Sequence, residues 1–203
     1  AKYTPWKKTP ESQREALSRE MAVYAAMIDR LDQNIGRVLD RLEATGEADN
    51  TLVLFLIDNG ACPFDNGTGG RSTGGPIGSA NSYEYLHPEW ACAANTPFRY
   101  FKQYGHEGGS HTPFIAHWPG HVEQDITDQL GHAADIMPTL LDLTGATYPE
   151  QVNGKPTPTL DGKSLMPVFQ GKQRDEPKIL VSGRGEDKRM VRIGKWKIVR
   201  LKG

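Results

Sequence analysis

The feature that most constrains this chain is an uninterrupted apolar run at residues 51–57 that breaks abruptly at Asp58-Asn59-Gly60. Leu52, Val53, Leu54, Phe55, Leu56 and Ile57 show no polar alternation, which is the pattern of a strand buried on both faces in a mostly parallel α/β sheet. The run falls far short of the ~20 apolar residues that a membrane-spanning helix needs. Open α/β sheets place ligands and catalytic groups just past the carboxyl ends of such strands. Asp58 and Asn59 occupy that position, and two oxygen donors there suit a hard divalent cation such as Ca²⁺. Asp-Asn-Gly is also ordinary turn chemistry, and two donors fall short of the six to eight that Ca²⁺ prefers, so the pair alone does not decide between turn and site.

The segment before the strand reads as one long amphipathic helix over residues 10–45. Met21, Tyr24, Met27, Ile28, Leu31, Ile35, Val38, Leu39 and Leu42 recur at spacings of three and four. Thr9 is the expected N-cap, with Pro10 at the first helical position, and Gly46 is the expected left-handed stop. The polar stretch 10–19 reads as a separate turn or a frayed lead-in.

Beyond Gly60 the chain is rich in turn formers. With 22 glycines and 14 prolines, it exceeds the roughly 12% of average usage, and its 37% hydrophobic content lies below the usual globular level. A long loop therefore follows the strand, and loops of this length inside domains are usually functional or mobile. Its aromatic residues Tyr83, Tyr85, His87 and Trp90 are candidates to contact a substrate's leaving group or, equally, to pack the loop down. Residues 113–118 read as a second strand and 132–143 as a helix that Pro138 bends or starts late. Residues 145–178 are irregular. Short strands at 179–182, 190–193 and 196–199 follow, the last two joined as a hairpin through Gly194-Lys195.

Several chemistries are disfavoured. A formal net charge of −1 removes the electrostatic case for nucleic-acid binding. His117 and His121 are four apart, but Pro119-Gly120 between them opposes the helix that a zinc pair would need. The Gly-rich loop lacks a Gly-Lys-Ser/Thr ending, and no Gly-x-Ser-x-Gly elbow is present. Cys62 and Cys92 cannot form a disulfide framework.

Four blocks, in order, resemble the later part of a type I sulfatase of the arylsulfatase kind, in the alkaline-phosphatase-like superfamily. They are residues 24–36 on the helix, the strand with Asp58-Asn59-Gly60, residues 95–120 with Asn95-Thr96-Pro97-Phe98-Arg99, Lys102, Glu107-Gly108-Gly109 and Trp118-Pro119-Gly120, and residues 132–146. A fifth, Leu160-Asp161-Gly162-Lys163-Ser164-Leu165 with Gly194-Lys195-Trp196-Lys197, resembles the start of the family's small antiparallel C-terminal subdomain. The resemblance implies a catalytic α/β piece over residues 1–159 and the beginning of that subdomain over 160–203. It implies that Asp58 and Asn59 help bind a divalent cation, usually Ca²⁺, and that Lys102 contacts the sulfate group and takes part in catalysis.

In such enzymes a hydrated formylglycine attacks sulfur, the alcohol leaves, and the sulfated gem-diol collapses to release sulfate. The formylglycine motif Cys-x-Pro/Ala-x-Arg is matched by neither cysteine, since Cys62 is followed by Pro63-Phe64-Asp65-Asn66 and Cys92 by Ala93-Ala94-Asn95-Thr96. The nucleophile and the first metal-binding aspartates are expected in an N-terminal half that partners this chain, which alone is expected to be inactive. The implied substrate is a sulfate ester, and a periplasmic or secreted location is in keeping with the family. The alternatives are a phosphodiesterase or phosphonate hydrolase of the same superfamily, and a non-catalytic remnant that binds sulfated glycans or a partner.

Overall fold

The structure, a computed structural model, describes residues 4–63, 75–82, 85–175, 179–184 and 188–201. Contacts divide the chain into two units. One comprises Ala1–Thr45, Leu56–Phe114 and Ile179–Gly203, and the other Gly46–Phe55 and Ile115–Lys178. Among the described residues no helix is long and apolar enough to cross a membrane.

In the first unit, helix α1 (Glu11–Thr45) runs unbroken through the polar stretch expected to fray. It ends at Gly46, whose φ of +74° is the left-handed stop that glycine adopts without steric cost. Its start differs from expectation. The Pro10 carbonyl is the first acceptor of the helix, bonded by the Arg14 N–H at 3.0 Å, while the Thr9 hydroxyl donates to the Pro5 carbonyl instead of capping.

Helix α2 (Pro88–Ala94) begins at the end of the stretch that reads as loop and was not expected; it packs on the first half of α1. Ala91, Leu86 and Phe101 form the buried cluster, covered by Met21 and Tyr24 of α1 and by Ala61, Trp90, Cys92 and Tyr104. Two polar links fix this contact. The Trp90 indole donates to the Leu17 carbonyl at 2.9 Å, and the buried Glu20 carboxylate accepts from both the backbone N–H and the ring of His87. The second half of α1 leaves its apolar stripe uncovered at Met27, Ile28, Leu31 and Val38.

Strand β1 (Val53–Leu56) and strand β2 (Phe114–His117) are hydrogen-bonded neighbours. Burial on both faces is not found: Val53, Leu54 and Phe55 are half-buried, and Leu56, Phe114 and Ile115 are exposed. An apolar strand is buried twice only where a layer covers each face, and among the described residues these faces lack that cover. In the sequence, α3 (Glu107–Ser110) comes just before β2.

In the second unit, α4 (Ile136–Thr144) begins late, as Pro138 requires, with Pro138 in its first turn where a missing N–H costs nothing. Asp135, 2% exposed, anchors this unit. It accepts from the backbone N–H of His132 at 2.8 Å and of Lys163 at 2.9 Å, and from the Arg174 guanidinium at 2.7 Å. Thr139 is fully buried; its hydroxyl donates to the Asp135 carbonyl and accepts from the Leu165 N–H. These bonds tie the 160–165 segment to α4, ahead of the short helix α5 (Met166–Phe169). The hairpin of β3 (Gln151–Val152) and β4 (Lys155–Pro156) was not anticipated, although Asn153-Gly154 at positive φ is a strong hairpin signal.

The C-terminal strands match expectation. β5 (Leu180–Arg184), β6 (Lys188–Ile193) and β7 (Trp196–Leu201) form an antiparallel sheet in that order, with Arg192 opposite Lys197 and Ile193 opposite Trp196.

Candidate active site

The site candidates Asp58, Asn59 and Lys102 all fall in the first unit. Asp58 is exposed and Asn59 half-buried in the turn that closes β1. Their neighbour Gly60 is tightly held. Its N–H donates to the Gly109 carbonyl at 3.3 Å, and a Cβ there would lie 1.8 Å from the Gly108 carbonyl oxygen. No side chain larger than hydrogen fits this approach. The Ala61 N–H then donates to the Asn95 side chain at 3.2 Å, and the Asn95 amide donates onward to the Tyr100 carbonyl at 3.0 Å.

Lys102 is half-buried, and its backbone N–H donates to the Ala61 carbonyl at 3.1 Å. The loop that carries it turns twice into the left-handed region, at Tyr100 (φ 66°) and Gln103 (φ 73°). Non-glycine residues there cost about 1–3 kcal/mol each and persist where the surroundings over-determine them. Those surroundings are visible. The Gly108 N–H donates to the Arg99 carbonyl at 2.9 Å, and the Gly109 N–H to the His106 carbonyl at 2.9 Å. A Cβ on Gly108 would lie 2.0 Å from the Tyr100 oxygen, and one on Gly109 2.1 Å from the Tyr104 oxygen. The Glu107-Gly108-Gly109 corner therefore clamps both the Lys102 loop and the end of β1.

Aromatic rings wall the same loop. Tyr100 stacks on Tyr104 at 4.6 Å and lies 4.5 Å from His106, and the Arg99 guanidinium sits 4.9 Å from the Tyr100 ring centre. Burial, followed by the charges of Arg99 and Lys197, pushes the His106 imidazole below its ordinary pKa. Its Nδ1 is buried and finds no hydrogen-bond partner among the described residues. For Glu107, burial would raise the pKa, but the hydrogen bond and charge of Lys197, then those of His111, outweigh it and hold the carboxylate below its usual range.

Asp58 and Asn59 are hard oxygen donors of the kind a divalent cation takes. Among the described residues, no three His, Cys, Asp or Glu side chains converge on a common point, so these two donors form at most one side of such a site. The loop aromatics make packing contacts where they are described. Trp90 packs in the core, His87 is held by Glu20, and Tyr85 stacks on His87 at 5.4 Å. Tyr83 lies outside the described residues. Cys92 lies in α2 and Cys62 is exposed after β1. Asn95, Gly60 and Lys197 stand in the motif blocks of the sequence, but their roles depend on tertiary contacts; the pairing of glycines with adjacent carbonyls has no local sequence signal.

The sulfatase family model matches residues 2–146. The chain is 37% identical over 162 residues to an uncharacterized sulfatase of Schizosaccharomyces pombe, a match covering 71% of this chain and 28% of that protein. It is 32% identical over 183 residues to an arylsulfatase of Klebsiella aerogenes, covering 82% of this chain and 38% of the relative. The crystal structure of Ps i-CgsB in complex with k-i-k-neocarrahexaose is similar with a TM-score of 0.63 and 26% identity, over 88% of this chain and 34% of that one. These likenesses agree with the expected alkaline-phosphatase-like α/β class. The chain spans well under half the length of the relatives it matches.

Proposed function

The chain belongs to the sulfatase family, and from that premise we propose that it forms one side of the active site of a sulfate ester hydrolase, which releases sulfate and an alcohol or phenol. The observation that carries this reading is the bond from the Lys102 N–H to the Ala61 carbonyl, which joins the lysine's loop to the strand end bearing Asp58 and Asn59. A cationic side chain and two hard oxygen donors on adjoining segments suit an anionic, oxygen-rich substrate.

In this reading Asp58 and Asn59 hold a divalent cation, Ca²⁺ foremost, together with ligands from elsewhere in the protein. When bound, such a cation polarises sulfate oxygens and offsets the charge that develops on them. The Lys102 ammonium donates to a sulfate oxygen and helps neutralise the departing oxygen, a contribution that counts because the donor is already in place before reaction. The rigid Glu107-Gly108-Gly109 corner keeps it there. No cysteine of this chain stands in the formylglycine motif, so the nucleophile belongs to polypeptide beyond these residues, and the chain alone is inactive. A periplasmic or secreted location accords with this assignment. The arylsulfatase name of one relative supports an aryl sulfate as test substrate, and the k-i-k-neocarrahexaose in complex with the structural neighbour supports a sulfate ester of an oligosaccharide as a second to try.

The 203-residue chain, purified and incubated with an aryl sulfate and Ca²⁺, is expected to show no turnover. Turnover by this chain that Asp58→Ala abolishes would contradict the assignment of the nucleophile to other polypeptide. In the protein that contains this sequence, hydrolysis of a phosphodiester in place of the sulfate ester would move the assignment to a phosphodiesterase of the same fold.

A further inference from the structure

The C-terminal sheet supplies a side chain to the corner that holds Lys102. Lys197, on β7 and 16% exposed at its side chain, donates from Nζ to Glu107 Oε1 and, at 3.0 Å, to Ser110 Oγ. The other oxygen of Glu107 meets His111 Nδ1 at 3.0 Å. Glu107 is thus gripped through both oxygens at the head of α3, by a cation from a hairpin ninety positions away and by an imidazole one turn along. A second contact lies alongside. A Cβ on Gly105 would meet Met190 Cβ at 2.7 Å and Val199 Cγ1 at 3.4 Å, so β6 and β7 press on the chain between Lys102 and His106.

We propose that Lys197 is a positioning residue: its ion pair with Glu107 latches the C-terminal hairpin onto the Glu107-Gly108-Gly109 corner and thereby fixes Lys102 and the Asp58-Asn59 turn. The route is contiguous. Glu107 leads directly into Gly108 and Gly109; Gly108 bonds the Arg99 carbonyl and Gly109 accepts from Gly60; Lys102 bonds Ala61. Each glycine contact is too close to admit a methyl group, so a shift of α3 moves its neighbours instead of being absorbed by a gap. A partly buried, charge-assisted pair suits this task, since removing one partner leaves the other charge without its counter-ion. The effect on catalysis rests on the functional reading above, whereas the latch itself does not.

The test is carried out in the protein that contains this sequence, with Lys197→Met, Glu107→Gln, the double variant and Lys197→Arg. Amide hydrogen exchange is expected to speed up at Gly60, Lys102 and Gly108 in Lys197→Met and in Glu107→Gln, with the double variant no faster than these two. Lys197→Arg should restore slow exchange. Aryl sulfate turnover should fall about tenfold in kcat in Lys197→Met, with KM little changed, as expected for a misplaced rather than a missing group, and recover in Lys197→Arg. Unchanged exchange at Gly60 and Lys102 in Lys197→Met overturns the latch whatever the activity. Faster exchange in a protein that never hydrolyses sulfate esters upholds the latch and refutes the sulfatase reading. Unchanged kcat with faster exchange overturns the claim that the latch positions the catalytic lysine.

Discussion

The backbone N–H of Lys102 donates to the carbonyl of Ala61 at 3.1 Å, so the loop bearing the cationic side chain is stitched to the segment that leaves β1. Because the bond uses main-chain atoms, substitution of the Lys102 side chain leaves it intact. Fold and function at this position are therefore separable by mutation.

Calcium binding should depend on the strand end. In the protein that contains this sequence, Asp58→Ala is expected to weaken Ca²⁺ affinity by at least tenfold, and Asn59→Ala by less, because a carboxylate contributes charge as well as an oxygen. Isothermal titration measures both, and affinities equal to the unsubstituted protein would remove Asp58 and Asn59 from the site.

Gly60→Ala and Gly108→Ala should both destabilise the first unit. Their Cβ atoms would lie 1.8 Å and 2.0 Å from carbonyl oxygens that belong to the backbone and cannot rotate away. Overpacking of this kind costs about 1–3 kcal/mol. A urea titration of the 203-residue chain measures it, with Gly36→Ala, where nothing lies within 4 Å, as the control. An equal midpoint for Gly60→Ala and Gly36→Ala would show that the close approach is not maintained.

The second unit should depend on Asp135. Asp135→Ala strips the Arg174 guanidinium of its carboxylate while both side chains are 3% exposed, and it also orphans the His132 and Lys163 amides. Breaking a buried pair from one side costs about 3–5 kcal/mol. Thermal unfolding of Asp135→Ala beside Asp135→Ala/Arg174→Met tests this, the double variant being the more stable of the two. A single variant as stable as the parent would mean the pair is not buried in solution.

Acid should loosen the Lys102 loop in two stages. His106 has a depressed pKa in the folded chain, so the unfolded chain binds the proton more readily and stability falls as the pH drops below the ordinary value near 6.5, until the folded-state pKa is passed. Glu107, also depressed, contributes stability that is complete above its ordinary value of 4.5 and is lost as the pH falls through its lower folded-state value. Urea midpoints followed downward from neutral pH should show both declines, and His106→Gln should abolish the first. An identical profile for His106→Gln would contradict the assignment.

Residues with local signals were legible in the sequence. The spacing of Met21 through Leu42 located α1, Gly46 its end, Pro138 the late start of α4, and Gly194-Lys195 the last hairpin. What escaped was tertiary. Helix α2 is held by two contacts across the chain: Trp90 donates to the Leu17 carbonyl of α1, and Glu20 of α1 accepts from His87 at the head of α2. Likewise, the apolar run of β1, which lacks polar alternation, predicts burial on both faces, but burial depends on which layers cover it. Asp58, Asn59 and Lys102 emerged from the sequence by family resemblance, since neither an Asp-Asn turn nor a lone lysine distinguishes itself. The clamp that brings their segments together is made of glycines against carbonyl oxygens, and a linear sequence does not show which carbonyl a glycine will meet.

The most direct measurement is aryl sulfate hydrolysis by the protein that contains this sequence, compared with its Lys102→Ala and Lys102→Arg variants at matched folded fraction. Lys102→Ala is expected to lower kcat by about 10²–10³-fold, the scale for removing a pre-placed donor from an anionic transition state, with thermal stability unchanged because the bond to Ala61 survives. Full turnover in Lys102→Ala, with the protein folded, would contradict the catalytic role of Lys102.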